Sequence, residues 1–532
     1  MINRILGTFL LIGLSAGLFA KSNQTVYNLD FNPKNFEMQK LEYNGGIMDV
    51  RAYERIVYVA NPVDTAYEIM NIYIPEAYFK GKSINGYTSE TAPIFFPNQI
   101  GGYMPGKPAS TKNKGFGEMM PPMGGNNGAP PQGMRGEGRP PMGNGGPNGD
   151  FGKRENAVLA ALSKGYIVAS AGARGRTNKD LKGLYYGKAP AAIVDLKAAV
   201  RYLKYNDQVM PGDANKIISN GTSAGGAMSA LLGATGDNPD YLPYLKEIGA
   251  ANTSDAIFAT SAYCPITNLD HSDAAYEWQF YGVNSYQRRG PMGPQSNAAE
   301  SQLSEAQIKV SKELKELFPA YLNSLHLKTT NGETYTLDAD GNGNFKSLVK
   351  SYVIASAQKA LKDGADLSKL AWLKIENKTV SDLNWDSYLR YMQRQKTPPA
   401  FDDLDMTSPE TNLFGTSTTN NQHFTAYGTQ NGKGTMADEH MIAMMNPMNY
   451  IGTPNTKTAK HWRIRHGSKD KDTGLAISVI LAIALQNNGN DVSLELPWDR
   501  PHSGDYDLDE LFTWIDGIAK NNGSEHFPIN KR

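Results

Sequence analysis

The 532-residue chain has one cysteine, Cys264. No internal disulfide can form, so the hydrophobic core must hold the fold. Cys264 lies in the apolar stretch "AIFATSAYCPI" and reads as a small buried side chain rather than a nucleophile. Net charge is equally scarce, with 53 Lys and Arg against 53 Asp and Glu. Nothing therefore draws the protein as a whole to nucleic acid or an anionic membrane, and a small or neutral ligand is the expected partner. Comfortable membrane spans are lacking too. The N-terminal "MINRILGTFLLIGLSAGLFAKSNQ" comes nearest, but its single Arg, short Gly-broken apolar run and small Ala20 have the layout of a secretory signal peptide. Cleavage after Ala20 and export to the periplasm or medium are expected, with no membrane anchor in the mature chain and no nearby cysteine to accept lipid.

Glycine is plentiful, at 53 residues, and one cluster of it is informative. In "IISNGTSAGGAMSALLGATG" an apolar, strand-like segment runs into Gly221-Thr222-Ser223-Ala224-Gly225 and continues as a small-residue helix. A nucleophile elbow has this pattern, because a serine on a sharp strand-to-helix turn needs flanking residues without bulk. An ordinary Gly-rich turn has it as well, so the reading depends on partners elsewhere in the chain.

The organisation supplies a place for such partners. "FEMQKLEYNG", "MDVRAYERIVYVA" and "YEIMNIYIPE" alternate and are rich in Val, Ile and Tyr, which predicts antiparallel strands at one sheet edge. Beyond them, apolar strands at "APIFFPN", "GYIVASAG", "NKIISNG" and "DAIFATSAY" alternate with helical periodicity such as "PAAIVDLKAAVRYLKYND". A mostly parallel, doubly wound sheet covered on both faces follows. The alternation resumes far downstream with "KHWRIRHG", "DTGLAISVILAIALQNNG", "DVSLELPW" and "DLDELFTWIDGIAK". Two interruptions separate these blocks. From about Tyr103 to Gly152 the chain is Pro, Gly, Met and Asn, which predicts a mobile surface loop. Residues 271–454 carry amphipathic helices and are expected to form an inserted lid between a first sheet part, 21–270, and a second, 455–532.

On a doubly wound sheet the partners of Ser223 should follow in the order acid then histidine, on loops at strand carboxyl ends. Asp470 and Asp472 follow "HWRIRHG", and His502 follows "VSLELPW". Asp470 would orient His502, with Asp472 in the same turn as the alternative acid, and His502 would take the Ser223 proton. His466 precedes the acidic loop and has the wrong order for the base. Backbone N–H groups of Ala224 and of Gly102, or its neighbour Gly101, would hold the oxyanion.

Four blocks carry a more specific signal. "GTSAGGAMSALLGATGDNPDYL", "SAYCPITNLDHSDAAYEW", "RQKTPPAFDDLD" followed by "SPETNLFG", and "RHGSKDKDTGLAI" together resemble bacterial tannases of the subtype B group, relatives of the feruloyl esterases. The resemblance covers most of the mature chain. It implies an α/β-hydrolase with an inserted lid that cleaves galloyl esters, with Ser223, Asp470 and His502 as triad and Lys396, Glu410 and Asp472 as galloyl-binding residues. Three adjacent phenolic hydroxyls suit two carboxylates and an ammonium. The Pro/Gly/Met-rich segment departs from what the resemblance implies.

No metal or cofactor is expected. Asp338, Asp340 and Asn342 have Ca²⁺-loop spacing, but Val349 occupies the place of the bidentate acid, which favours a plain hairpin turn. The Met-rich loop has no Cys or His to complete a Cu(I) site. The rival functions are a feruloyl or general carboxylesterase, differing only in the acyl pocket, and a non-catalytic polyphenol- or surface-binding module.

Overall fold

The computed structural model describes residues 25–112, 156–286 and 300–520. The expected signal peptide at 1–20 lies outside them. Nine strands form one sheet: β1 (Glu37–Tyr43), β2 (Gly46–Val57), β3 (Ile69–Pro75), β4 (Pro93–Pro97), β5 (Ile167–Ala171), β6 (Asp213–Thr222), β7 (Ala259–Tyr263), β8 (His461–Arg465) and β9 (Asp491–Glu495). Their spatial order is β1-β2-β3-β5-β4-β6-β7-β8-β9. The first three pair antiparallel, and β3 meets β5 antiparallel. From β5 to β9 every pairing is parallel.

Burial follows position in the sheet. "IMNIYIP", "PIFFP", "IVASA" and "ATSAY" of β3, β4, β5 and β7 are buried throughout, as strands covered on both faces must be, whereas edge strand β1 is mostly exposed. The covering helices are the expected ones, among them Ala191–Tyr205, Ala224–Ala234, Leu475–Asn487 and Leu508–Lys520. Strands β7 and β8 are parallel neighbours although residues 264–460 separate them. That large insertion contains the helices Glu305–Ser324 and Asn344–Lys362, and the small antiparallel pair Leu373–Glu376 with Thr379–Leu383. Helix Leu269–Phe280 runs across the position where the insertion was expected to begin.

Register places the chemistry. Thr222 pairs with Tyr263, Tyr263 with Arg465, and Arg465 with Glu495, so four parallel strands end in one row. Ser223, Cys264 and His466 are each the next residue beyond that row.

Two expectations need correction. The surface loop does not begin at Tyr103, because Tyr103–Lys112 packs onto the sheet domain. Buried Tyr103 donates to Ile266 O at 2.8 Å, Ala109 N donates to Ser170 Oγ at 2.9 Å, and Thr111 Oγ1 donates to Gln39 Oε1 at 2.8 Å. An aromatic ring and small residues find partners there that composition does not reveal, while 113–155 lies outside the described residues. The Asp338 turn, in turn, joins no pair of strands. Asp338 Oδ1 accepts the Asn342 N–H at 2.8 Å, and the chain enters helix Asn344–Lys362, where Val349 is fully buried. The apolar residue at the metal-ligand position belongs to a helix core.

Candidate active site

Ser223 sits between β6 and helix Ala224–Ala234 at φ 62° and ψ −123°. Such backbone in a non-glycine residue costs roughly 1–3 kcal/mol and persists only when its surroundings fix it. Here the Ser223 N–H donates to Tyr263 O at 3.0 Å, and Ser223 O accepts from Ile266 N at 3.3 Å. Gly225 must lack a side chain, since a Cβ there would stand 2.6 Å from Asn98 Oδ1 and 2.8 Å from Ile100 O. Asn98 ties the loop after β4 to the elbow by donating to Gly225 O at 3.0 Å and Ser229 Oγ at 3.1 Å. That loop continues into Gly101 and Gly102. As the first residue of the helix, Ala224 has an N–H without an intrahelical acceptor.

The loops after β8 and β9 meet beside the elbow. His502 Nδ1 and Asp470 Oδ2 share a 2.8 Å hydrogen bond. Gly504, two residues on, lies so close to Thr222 that a Cβ would be 2.0 Å from Thr222 Oγ1, which seats the histidine loop next to Ser223. Asn220 Nδ2 fixes the same loop through Asp505 Oδ1 at 2.9 Å. On its other ring edge, His502 Nε2 is 4.0 Å from Cys264 Sγ and 3.8 Å from Asp472 Oδ2. Cys264 is buried as expected, yet it packs against this imidazole. His466 Nε2 stands 3.5 Å from Asp470 Oδ2, while its Nδ1 shares a 2.8 Å hydrogen bond with Ser478 Oγ. Asp470 thus lies between two imidazoles.

Electrostatics separate these groups. Burial alone would raise Asp470, but His502 and His466 outweigh it and hold the carboxyl below its ordinary range. Burial likewise opposes charge on His502, yet Asp470 and Asp472 contribute to holding its imidazole well above the ordinary value. Burial pushes the Cys264 thiol up and His466 down. Cys264, Asp470 and His502 are also the one group of His, Cys, Asp and Glu among the described residues close enough to hold a cation, with ligand atoms within 4.8 Å.

Lys396, Glu410 and Asp472 come together beside this group. Lys396 Nζ is 3.4 Å from Asp472 Oδ2 and lies 3.9 Å from the centre of the Phe401 ring. Gln395 Nε2 donates to Asp472 Oδ1 at 2.8 Å, and Asp472 N donates to Asp470 Oδ1 at 2.9 Å. Glu410, in the helix Pro409–Leu413, is raised by burial against the opposing charges of Lys396 and Arg176. Asp472 Oδ2 thereby lies near both the His502 imidazole and the Lys396 ammonium.

Sequence reasoning missed Arg176. Its Nε donates to Gly102 O at 2.8 Å and its Nη1 to Asn412 Oδ1 at 2.8 Å, joining the loop after β4 to the insertion helix that carries Glu410. The signal was present, since "AGARGR" follows β5 on the strand-end side where site loops gather.

The BD-FAE family model matches residues 144–284. Over 102 residues the chain is 40% identical to Esterase LipC of Mycobacterium tuberculosis, a match spanning 19% of this chain and 23% of that relative. Similarity to solved structures extends much further. The Fusobacterium nucleatum tannase is 48% identical over 93% of this chain and 100% of its own, with a TM-score of 0.82. The tannin acyl hydrolase from Lactobacillus plantarum is 42% identical over 92% of this chain and 99% of its own, again at 0.82. A tannin acyl hydrolase in complex with ethyl gallate is 42% identical over 92% and 99%, at 0.80. With nearly full-length identity above 40% to such structures, the chain belongs to the tannases, carboxylic ester hydrolases of the α/β-hydrolase fold.

Proposed function

We propose that this protein hydrolyses galloyl esters through an acyl-enzyme on Ser223. The observation that carries the reading is the position of Asp472, 3.8 Å from His502 and 3.4 Å from Lys396, which supports an acyl pocket for phenolic hydroxyls beside the triad proposed here. His502 takes the Ser223 Oγ proton as Oγ attacks the ester carbonyl carbon. The N–H groups of Ala224 and Gly102 hold the oxyanion; its collapse expels the alcohol, which leaves with the proton from His502. Water, giving a proton to His502, then attacks the galloyl carbon and releases gallic acid and the free serine. Lys396, Glu410 and Asp472 receive the ring hydroxyls, and a galloyl ester or hydrolysable tannin is the substrate class. Ethyl gallate bound to a related tannin acyl hydrolase supports that class. Methyl gallate, methyl protocatechuate and methyl ferulate compared side by side test the reading, and a preference for ferulate would overturn it.

The base sets a pH dependence. Burial opposes protonation of His502, but Asp470 first, then Cys264 and Asp472, outweigh it, so kcat/KM should climb with pH through a midpoint above the ordinary imidazole value of about 6.5. The charged imidazole stabilises the fold below its unfolded value, and this contribution is lost as pH rises through the raised folded value. Asp472→Asn removes a carboxylate 3.8 Å from Nε2 and should move the midpoint to lower pH. With p-nitrophenyl acetate as substrate, an unmoved or raised midpoint would show that Asp472 does not act on the base.

The N-terminal leader supports export with cleavage after Ala20, which the mass of the exported chain tests. Among the described residues, no helix is long and apolar enough to cross a membrane.

A further inference from the structure

We infer that Tyr276 is a positioning residue for acyl recognition, its hydroxyl tying the two segments that carry Lys396 and Asp472 into one wall of the acyl pocket. The inference rests on the galloyl-ester reading. Tyr276 projects from helix Leu269–Phe280 and is fully buried. Its hydroxyl accepts the N–H of Gln395 at 3.3 Å and of Lys396 at 3.2 Å, and donates to Lys471 O at 2.9 Å. One donated and two accepted bonds use the full capacity of a phenol. Burial raises its ionisation far out of the working range, so the donor persists at any ordinary pH.

Each partner sits next to a recognition side chain. The Lys471 carbonyl belongs to the peptide entering Asp472, and the two N–H groups belong to the peptides flanking Gln395, up to Lys396. Two side-chain links support the same seam: Gln395 Nε2 donates to Asp472 Oδ1 at 2.8 Å, and Lys471 Nζ donates to Gln393 Oε1 at 3.3 Å. Arg394, buried in an ion pair with Glu277 of the same helix, donates from Nε to Lys396 O at 2.6 Å. The ring of Tyr276 also meets Phe401 edge-on at 6.2 Å, and Phe401 underlies the Lys396 ammonium. Asp472 is the one member of this set that approaches His502, and the others bear on the recognition side chains. The main consequence should therefore fall on acyl recognition, read at a pH where His502 is already neutral.

Tyr276→Phe keeps the ring and removes the one hydroxyl. The KM for methyl gallate should rise about tenfold, while kcat/KM for p-nitrophenyl acetate stays within about twofold. Placed in a Lys396→Met background, Tyr276→Phe should add a smaller loss on gallate than it causes alone, because one of the two recognition side chains it positions is already gone. Equal losses on both esters, an unchanged gallate KM, or fully multiplicative losses in the double variant would overturn the inference. If Tyr276→Phe does not fold, Gln395→Met carries the same split, since its half-buried amide links the same two segments. A wild-type enzyme that fails to favour gallate over acetate would instead remove the functional reading beneath it.

Discussion

Ser223→Ala is expected to lower turnover of methyl gallate by on the order of 10⁶, and His502→Ala by a similar factor, with the fold intact. Attack by Oγ and its deprotonation are one event, so the double variant should be no worse than either single one. Asp470→Asn should cost about 10⁴, since an amide at the 2.8 Å contact holds the imidazole without favouring its charged form. Alanine at 223 keeps the same chirality and nearly the same backbone preference, and the Ser223 N–H and C=O contacts to Tyr263 and Ile266 do not involve the side chain. Circular dichroism should therefore match the wild type. A folded Ser223→Ala protein retaining more than a trace of its rate would remove the acyl-enzyme from the mechanism.

The second large effect concerns the acyl group. A pocket whose buried polar groups pair with phenolic hydroxyls leaves them unpaired when the ring lacks hydroxyls, and such mismatches discriminate by about 10⁴ or more. Methyl gallate should exceed methyl benzoate in kcat/KM by a factor of that order. Lys396→Ala and Glu410→Ala should erase most of this advantage while changing cleavage of p-nitrophenyl acetate far less, because acetate never reaches those groups. Lys396→Ala should carry a second effect: burial raises the Glu410 carboxyl, and removing Lys396 takes away a charge that opposes the rise. Measured on gallate, ferulate and acetate esters, losses of equal size on all three would assign both residues to structure instead of recognition.

What could be read from the chain alone was what depends on local pattern or on order. The elbow at Ser223 was legible because its glycines, nucleophile and helix are contiguous. Alternation predicted β1 to β3, and the order Ser223, Asp470, His502 followed from strand topology. Contacts between distant segments were not legible. Tyr103–Lys112 reads as the start of a Pro/Gly/Met loop until Gln39, Ser170 and Ile266 are brought against it. Cys264 reads as plain core, and only the shared row of strand ends puts it against His502. Arg176 and Tyr276 lie in stretches that the sequence marks, "AGARGR" and "DAAYEW", but nothing local tells what they bind. Their roles exist only across the seam between sheet domain and insertion.

The turn after β8 holds Asp470 and Asp472 two residues apart, one hydrogen-bonded to His502 and the other near both His502 and Lys396. For anyone redesigning this enzyme, position 472 is then a compound variable. A library randomised there and screened at a single pH would rank variants by the ionisation of His502 together with acyl fit, and the winners would shift with the assay buffer. Lys396 and Glu410 stand on the insertion and make no contact with the His502 imidazole among the described residues, so on the proposed reading altered acyl preference is better sought there first. Position 472 is best varied afterwards, with each candidate profiled across the acid limb.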